Sequence, residues 1–328
     1  MRALIAGIGS YVPEKVLTNF DFEKMVDTSD EWIRTRSGIR ERHVTTADQA
    51  TSDLSLIAAQ RALKAAGVKP KDIGAIILAT ATPDMLFPST ACLVQARMGA
   101  PNVISFDISA GCTGFLYGLA VAESFIMHGY NNLLVIGADN LTKITDYTDR
   151  TTCVLFGDGA GAALVKRVDD DDDNEDGIIS SYFAADGSAW EPLQQPAGGS
   201  RIPASHDSVD KRLHFIKMQG NEVFKLAVRA MSEAAIKTLK RANIHASEID
   251  LLIPHQANIR IIEASAKRLH IPMDKVVINL DRYGNTSAAS IPIALDEAVQ
   301  QGRLCKGGLV LMIAFGAGFT WGGVLFRY

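Results

Sequence analysis

The segment AQRALKAAGVKPKDIGAIIL at residues 59–78 has a counterpart, AIKTLKRANIHASEIDLLIP, at residues 235–254. Each segment has the pattern of an amphipathic helix, a turn and a continuously apolar strand. The two segments are 176 residues apart, and the same offset pairs the apolar run at 132–135 with the run at 308–311. A period of about half the chain indicates a duplicated domain rather than a solenoid of short repeats.

Strands are predicted to alternate with helices in both halves of the chain. The predicted strands are 75–79, 103–106, 133–136 and 162–165 in the first half, and 251–253, 276–280, 309–314 and 323–326 in the second. Continuous apolar strands are typical of sheets that helices cover on both faces. The predicted fold class is therefore α/β, with two halves related by a pseudo-two-fold axis and packed as a five-layered αβαβα stack.

The run DDDDDNED at residues 169–176 departs sharply from the composition around it. A block of like charges repels itself and does not pack, so we interpret it as a solvated connector. The spaced ligands and the glycine of a known calcium loop are missing from it. The predicted domains are thus an N-terminal half at 1–168 and a C-terminal half at 177–328, joined by this acidic connector.

Composition excludes several classes of protein. The chain has 328 residues, 47% of them hydrophobic and 21% charged, which is ordinary for a globular enzyme and argues against a disordered chain. Its net charge of −4 argues against a nucleic-acid-binding protein. The beginning of the sequence lacks the pattern of a signal peptide, and no run of about 20 apolar residues would insert into a membrane. We therefore expect a cytoplasmic protein.

The four cysteines of the chain do not form a recognisable metal or redox motif. Cys92, Cys112, Cys153 and Cys305 include no C-x-x-C pair, so neither a zinc site nor a thioredoxin motif is predicted. Four cysteines in a chain of this length also make no disulfide framework, which fits a reducing compartment.

Cys112 lies in SFDISAGCTGFLYGLAVAESF, residues 105–125, where a strand is predicted to end and a helix to begin. Small residues on both sides of Cys112 allow a tight turn and close packing of the helix. A thiol at the start of a helix feels the positive end of the helix dipole, which favours the thiolate. Backbone N–H groups at the same turn can stabilise an oxyanion. We therefore predict that Cys112 is a nucleophile.

Two further residues are predicted to meet Cys112. INLDRYGNTSAASIPIALDEAV, residues 278–299, repeats the strand–turn–helix pattern, and an offset of 173 pairs Asn285 with Cys112. His255 follows an apolar strand, and sites in α/β proteins usually form at the carboxyl ends of strands. With Cys112 carrying an acyl group, the N–H donors of His255 and Asn285 could hold an enolate oxygen as a decarboxylation creates a carbanion.

The motifs of this chain resemble those of the β-ketoacyl-acyl-carrier-protein synthase III family. They are TSDEWIRTRSGIRER (28–42), GCTGF (111–115), TDRTT (148–152), FGDGAGAALV (156–165), GNEVFK (220–225), PHQANIRII (254–262), YGNTSAAS (283–290) and AFGAGFTWG (314–322). The resemblance covers the chain apart from the acidic run. It implies a thiolase-like fold of two βαβαβαββ halves and the initiating condensation of type II fatty-acid synthesis.

The resemblance also implies a mechanism. Cys112 would be acylated by a short acyl-CoA, typically acetyl-CoA, and malonyl-acyl-carrier protein would then lose carbon dioxide and attack the acyl group. His255 and Asn285 would stabilise the enolate, and the backbone N–H groups of Cys112 and Ala317 would form the oxyanion hole. Many relatives have glycine where Ala317 stands. No cofactor and no metal ion are implied, since both thioesters are substrates.

The substrate-binding residues come from the same resemblance. Residues implied for CoA are Thr28, Trp32, Arg36, Arg150, Asn221 and Phe224. Phe87 would cross a homodimer interface and close the acyl pocket, which suggests short, straight primers. The acidic carrier protein would dock on Arg260, Lys267 and Arg268, at i, i+7 and i+8 on one predicted helix face, and on Lys225 with its neighbour Arg229.

Other functions are weighed against this one. A condensing enzyme of secondary metabolism with the same fold could use a different primer or acceptor. The chain order Cys, His, Asn also occurs in papain-like cysteine hydrolases, but the local sequence C-G-[SA]-C-[WY] is absent. A thiolase would need a second cysteine in the last glycine-rich turn, which here is FGAGF.

Overall fold

The computed structural model describes residues 2–168 and 176–328. Of the predicted acidic connector, all residues except Asp176 lie outside the described ranges, so the domain boundary stays a prediction.

The two halves have the following elements in chain order. The first half contains β1 (Arg2–Tyr11), β2 (Val16–Thr18), α1 (Asn19–Glu23), α2 (Asp30–Ser37), β3 (Glu41–His43), α3 (Thr51–Ala66), β4 (Ala75–Ala79), α4 (Thr90–Met98), β5 (Ile104–Ile108), α5 (Gly114–Met127), β6 (Leu133–Asn140) and β7 (Asp158–Val168). The second contains β8 (Gly177–Ala185), β9 (Leu193–Gln194), α6 (His206–Asp210), β10 (Lys217–Met218), α7 (Gly220–Ala242), β11 (Leu251–Pro254), α8 (Ile259–Leu269), α9 (Leu280–Tyr283), α10 (Ser290–Gln300), β12 (Leu309–Gly316) and β13 (Thr320–Arg327).

Two large sheets have the same strand order. The first sheet runs β1-β7-β6-β4-β5 and the second runs β8-β13-β12-β11. Strand β4 pairs with β6 in the first sheet and β11 pairs with β12 in the second, and both pairs are parallel. The pairs β6–β7 and β12–β13 are antiparallel. The common order confirms that the chain is built from two similar halves.

The predicted strand at 276–280 is wrong. Val276 makes one isolated bridge to Leu252, and Leu280 already begins α9. Val277 N donates to Leu252 O of β11, and beyond this bond the buried side chain of Gln256 donates to Val277 O and accepts from Asn279 N. Within the described residues the second sheet therefore has four strands where the first has five.

Helices and sheets form five layers. Helices α3 and α4 pack on the outer face of the first sheet, and α7, with α8 beside it, packs on the outer face of the second. Between the sheets lie α5 and α10, which contact strands of both. The central core between the sheets includes Phe115 and Leu119 from α5 and Ile291 and Leu295 from α10, all almost fully buried. The predicted thiolase-like αβαβα stack is confirmed.

The structure corrects the pairing of the two halves at the site. Short 3-10 turns at Gly111–Thr113 and Ser287–Ala289 each lead into a middle-layer helix. The offset between these turns is 176 residues, the same as in the rest of the fold, so the counterpart of Cys112 is Ala288 and not Asn285. The offset of 173 aligned two glycines that occupy different places in the turns.

Gly137 provides a test of this packing. A Cβ atom on Gly137, in β6, would lie 2.3 Å from the carbonyl oxygen of Ala288. Since a backbone oxygen cannot move aside cheaply, we expect Gly137→Ala to lower the free energy of unfolding by about 3 kcal/mol. Urea unfolding measures the change. Gly187→Ala is the control, because a Cβ there meets nothing within 4 Å; equal midpoints for the two variants would contradict the prediction.

Among the residues described, no helix is long and apolar enough to cross a membrane.

Candidate active site

A largely apolar cavity of about 280 Å³ lies where the two halves meet. Cys112, His255 and Asn285 all line it, together with Ala317. The cavity opens beyond the carboxyl ends of β11 and β12, which is where α/β folds usually place their sites. The structure thus brings together the three residues that the sequence predicted as a catalytic group.

Cys112 occupies the 3-10 turn just before α5. The turn is held by Thr113, whose Oγ1 lies 2.7 Å from Thr320 Oγ1, while Thr320 Oγ1 donates to Ala110 O at 3.0 Å. Burial is the main cause, and the negative charge of Asp139 a smaller one, of a rise in the pKa of the Cys112 thiol to about 12. This direction is opposite to the one that the helix-dipole argument predicts, and burial is its largest cause.

The backbone of β12 comes very close to the nucleophile. A Cβ on Gly316 would lie 2.6 Å from Cys112 N, and a Cβ on Gly111 would lie 3.0 Å from Ala317 N. Only glycine at 316 allows this approach, since backbone atoms of the turn that carries Cys112 fill the space. The amides of Cys112 and Ala317 consequently stand close together beside the cavity.

His255 is buried and neutral. Its Nδ1 lies 2.7 Å from Ser290 Oγ, and Ser290 Oγ accepts from Gln256 N at 3.5 Å. With the Ser290 hydroxyl donating to Nδ1, the ring proton lies on Nε2. Burial lowers the pKa of His255 to about 4. At neutral pH the ring offers an N–H donor without a positive charge.

Asn285 is oriented by its own turn. Its backbone N–H donates to Leu155 O, and its carbonyl oxygen accepts from Gly157 N. Its Oδ1 accepts from Ser287 N at 2.9 Å, so the side-chain NH₂ group remains for the cavity. His255 and Asn285 together present N–H donors to a buried space that also contains Cys112. This arrangement can hold an oxygen on which negative charge develops.

An open groove of about 340 Å³ leads from the surface to the cavity. Four residues predicted for CoA line it, namely Trp32, Arg36, Asn221 and Phe224. Helix α2 begins after Ser29, whose Oγ accepts from Trp32 N, and Asn258 Nδ2 donates to Arg36 O, which ties α8 to α2. Phe224 and Asn258 line both groove and cavity, so the two spaces adjoin each other.

Two other predicted CoA residues lie differently. The guanidinium of Arg150 lies 5.1 Å from the centre of the Trp32 ring and pairs with Asp27 at 3.1 Å, so Arg150 stands beside the groove. Thr28 precedes α2 and is not among the groove-lining residues. Its hydroxyl is buried and has no hydrogen-bond partner among the described residues.

Comparison with known proteins places the chain in a family. The model of 3-oxoacyl-[acyl-carrier-protein] synthase III matches residues 106–187, and the model of the C-terminal part of that enzyme matches residues 239–328. A β-ketoacyl-[acyl-carrier-protein] synthase III of Caldanaerobacter subterraneus is 59% identical across 100% of this chain and 98% of the relative. The chain belongs to the β-ketoacyl-[acyl-carrier-protein] synthase III family.

Two further relatives agree with this assignment. A β-ketoacyl-[acyl-carrier-protein] synthase III of Clostridioides difficile is 52% identical across 100% of this chain and 98% of its own. The crystal structure of 3-oxoacyl-[acyl-carrier-protein] synthase III from Aquifex aeolicus has a TM-score of 0.91 and 49% identity, and covers 99% of this chain and 100% of the other. The enzyme is an acyltransferase that performs the initiating condensation of fatty-acid synthesis, and the alternative functions are not favoured.

The residue predicted to close the acyl pocket lies outside the cavity of its own chain. Phe87 is 84% exposed, and its neighbour Leu86 is 80% exposed. Neither residue is among those that line the cavity. Any contact of Phe87 with an acyl group would therefore have to be made in a second copy of the chain.

The basic residues predicted for carrier docking divide into two groups. Arg260 lines the groove and lies with its guanidinium 5.4 Å from the centre of the Phe224 ring, so it belongs with the CoA-side residues. Lys267 and Arg268 are exposed in the last turn of α8, and Lys225 is exposed near the start of α7.

Sequence reasoning missed the apolar wall of the cavity and one buried acid beside it. The wall includes Leu141, Ile144, Phe156, Leu193 and Ile216. These residues come from the β6–β7 connection and from the insertion between β8 and α7, which have no helical or strand periodicity to mark an inward face. The acid is Asp139, which is fully buried in β6. Within residues 2–168 and 176–328, no cluster of three or more His, Cys, Asp or Glu side chains could hold a metal ion.

Proposed function

We propose that the enzyme transfers a short acyl group from CoA to Cys112 and condenses it with malonyl-acyl-carrier protein. The products are 3-ketoacyl-acyl-carrier protein, CoA and carbon dioxide. The observation that carries the proposal is the set of N–H donors of His255 and Asn285 facing a cysteine in an apolar cavity. A hydrolase would need a base that activates water, whereas this site offers donors for an enolate oxygen.

In the first half-reaction, Cys112 Sγ attacks the thioester carbonyl and CoA leaves as the thiol. The backbone N–H groups of Cys112 and Ala317 hold the oxyanion of the tetrahedral intermediate. Because the pKa of Cys112 is raised to about 12, the nucleophile starts as a neutral thiol. Its proton ends on the sulfur of the departing CoA, so the overall transfer needs no proton from solvent.

In the second half-reaction, malonyl-acyl-carrier protein loses carbon dioxide in the same cavity. The resulting enolate oxygen accepts hydrogen bonds from His255 Nε2 and Asn285 Nδ2. Its carbon attacks the acyl group on Cys112 and breaks the C–S bond, and the released thiolate takes one proton from solvent. The thioester already activates the acyl group and decarboxylation supplies the carbanion, so we infer that neither step uses a cofactor or a metal ion.

The groove is the proposed binding site for CoA. Trp32 would stack on the adenine ring, and Arg36 and Arg150 would pair with phosphates. Asn221 and Phe224 would line the path of the pantetheine arm. Thr28 and Arg150 both stand outside the groove lining, and Arg150 lies beside it against the Trp32 ring.

A cytoplasmic homodimer is the proposed form of the enzyme. The exposed Phe87 and Leu86 would be covered in such a dimer, and Phe87 would then close the partner's acyl cavity. The aromatic ring would favour short, straight primers.

The carrier protein is proposed to dock on Lys267, Arg268 and Lys225, with Arg260 at the groove mouth. We expect the double variant Lys267→Glu/Arg268→Glu to raise the KM for malonyl-acyl-carrier protein about threefold to tenfold, because like charges then meet an acidic partner. The KM for acyl-CoA should not change. Steady-state kinetics at low salt measure both constants.

The control for this prediction carries the same change of charge on the opposite outer layer. Lys64→Glu/Lys71→Glu alters two exposed lysines of the first half. If the control raised the carrier KM as much as the α8 variant, the effect would come from net charge and the docking surface would be rejected.

Intact-protein mass spectrometry with a panel of acyl-CoAs tests the proposed function directly. We expect one acyl group per chain, with acetyl-CoA among the best donors, and peptide mapping should locate it on Cys112. An unmodified protein after incubation with every acyl-CoA, with the thiol still intact, would refute the proposed first half-reaction.

A further inference from the structure

The apolar wall of the cavity is made by two segments that belong to different halves of the chain. The β6–β7 connection supplies Leu141, Ile144 and Phe156, and the insertion between β8 and α7 supplies Leu193 and Ile216. Leu141, Phe156 and Ile216 form one small buried cluster, and the other two residues pack against it. The shape of the cavity therefore depends on how these two segments are held together.

The insertion has little regular structure of its own to fix its position. Its strands β9 and β10 pair over two residues each, Leu193–Gln194 with Lys217–Met218. A ladder this short is not stable by itself in water. The backbone N–H of Ile216 reaches the first half and donates to Ile144 O at 2.9 Å. A single backbone bond leaves the wall in need of a further link between the halves.

An ion pair between Arg212 and Asp146 supplies that link. Arg212 Nε donates to Asp146 Oδ2 at 2.8 Å, and a terminal guanidinium nitrogen of Arg212 donates to Asp146 Oδ1. Asp146 follows Ile144 closely in the β6–β7 connection, and Arg212 shortly precedes Ile216 in the insertion. The ion pair therefore joins the same two segments as the backbone bond, and its two-point geometry fixes their orientation as well as their distance.

The carboxylate of this ion pair is buried. The side chain of Asp146 is 4% exposed, whereas that of Arg212 is 46% exposed. Asp146 Oδ1 also accepts from Thr148 N at 3.0 Å and from Thr148 Oγ1 at 2.6 Å, and Lys217 Nζ lies 3.8 Å from Oδ2. The hydrogen bonds from Arg212 are the largest cause that holds the pKa of Asp146 below its usual range. A pair with a buried partner is screened less by salt than a pair between two exposed side chains.

The backbone at Arg212 also indicates that its side chain has a role. Its φ is +54°, in the left-handed region that favours glycine and asparagine. An arginine held in this region has a conformational cost that either of those residues would reduce. The guanidinium lies 4.9 Å from the centre of the Phe215 ring, a contact that further restricts the planar group. Backbone preference therefore does not account for an arginine at this turn, whereas the contacts of its side chain do.

We propose that Arg212, through its ion pair with Asp146, is a positioning residue that sets the depth of the acyl cavity and so the length of the acyl group that Cys112 accepts. The inference rests on the proposed acyl transfer. With the ion pair in place, Ile216 is held against Ile144, and a longer acyl chain has to push the two segments apart. Without it, the insertion can move outward, so longer chains fit and a short acyl group loses contacts with the wall.

The test is a competition between acetyl-CoA and hexanoyl-CoA at equal concentrations, read by intact mass before acylation is complete. The ratio of the two adducts does not depend on the fraction of active protein, so a loss of stability alone would leave it unchanged. Hydrophobic pockets commonly discriminate by about 10–200-fold per methylene, and we expect Arg212→Gln to lower the acetyl-to-hexanoyl ratio by about threefold to tenfold. In this variant Thr148 and Lys217 still face the Asp146 carboxylate, so we expect the protein to fold.

Two further variants show whether the effect comes from the ion pair. Arg212→Lys keeps the positive charge and loses the two-point geometry, so we expect a smaller fall in the ratio than in Arg212→Gln. Asp146→Asn keeps the shape of the side chain and removes its charge, so the ratio should fall as in Arg212→Gln. The double variant Arg212→Gln/Asp146→Asn should not fall further than either single variant, because all three remove the same interaction. Additive effects of the two single variants would contradict an action through the pair.

Lys211→Gln is the matched control. Lys211 Nζ lies 2.9 Å from Asp207 Oδ2, and both side chains are exposed within the insertion. The change removes the same charge one residue away from Arg212, and we expect the adduct ratio of the unmodified enzyme. An unchanged ratio in folded Arg212→Gln, or an equal fall in Lys211→Gln, would overturn the proposal.

Hydrogen exchange of the Ile216 amide separates this inference from the proposed function. The amide is protected by its bond to Ile144 O, and we expect it to exchange at least about threefold faster in Arg212→Gln and at the normal rate in Lys211→Gln. Overlapping peptides across residues 212–219 give the rates. A protein that no acyl-CoA modifies would refute the proposed first half-reaction, whereas unchanged exchange in Arg212→Gln would refute the role of the ion pair in holding the wall.

Discussion

The Cys112→Ala enzyme is expected to form no acyl adduct and to lose condensation activity by at least about 10⁴-fold. Cys112 supplies the sulfur to which the acyl group is bound, and Ala288 at the equivalent position of the second half offers no replacement. The intact mass after incubation with acetyl-CoA measures the first half-reaction. The formation of 3-ketoacyl-acyl-carrier protein measures the complete reaction.

Cys92→Ala is the control for this prediction. Cys92 is half-buried like Cys112, but it lies in α4, and its Sγ is 3.1 Å from Ser89 Oγ. We expect the Cys92→Ala enzyme to be acylated at Cys112 at the rate of the unmodified enzyme. An acyl adduct of normal yield on Cys112→Ala would show that another residue is the nucleophile.

The second large effect is expected from the two donors that face the cysteine. His255→Ala and Asn285→Ala should each lower condensation by about 10²–10³-fold, which is the usual effect of removing one donor from a buried oxyanion site. Both variants should still form the acyl-enzyme, because the enolate oxygen arises only in the second half-reaction. Single-turnover acylation and malonyl decarboxylation, measured separately, give the two rates.

The pH dependence of the donor step follows from the state of His255. Burial lowers its pKa to about 4, so the imidazole is neutral above pH 5 and keeps its donor as the pH rises. The decarboxylation rate should therefore show no inflection near pH 6.5. His206→Ala, which changes an exposed histidine of α6, should have the unmodified rates. Equal losses of acylation and decarboxylation in His255→Ala would contradict the division of roles.

Much of the fold could be predicted because a duplicated domain repeats the same sequence pattern. The repeat at 59–78 and 235–254 predicted two similar halves, and the continuously apolar strands predicted sheets covered by helices on both faces. The sequence could not exclude a strand at 276–280. The hydrogen bonds of the Gln256 side chain to the backbone of this segment exist only in the folded molecule. The same folded geometry is needed to see that Ala288, not Asn285, is the counterpart of Cys112.

The site was predictable in its chemistry and less so in its electrostatics. Cys112, His255 and Asn285 each follow a turn or strand end, and such positions can be read from local patterns. The pKa of Cys112 depends on how completely the thiol is buried and on Asp139, and neither is encoded near residue 112. The role of Thr28 stays a prediction from the motif, because its side chain is not among those that line the groove.

The distribution of the site over both halves makes catalysis a sensitive reporter of folding. Cys112 stands on the first half, whereas His255, Asn285 and Ala317 belong to the second, and the site is assembled only when the two halves pack together. In a partly unfolded molecule in which these layers had separated, every catalytic side chain would be present but the active site would not be assembled. Loss of activity on heating should therefore coincide with disruption of the central core, so that the population of active enzyme equals the population with both halves in register.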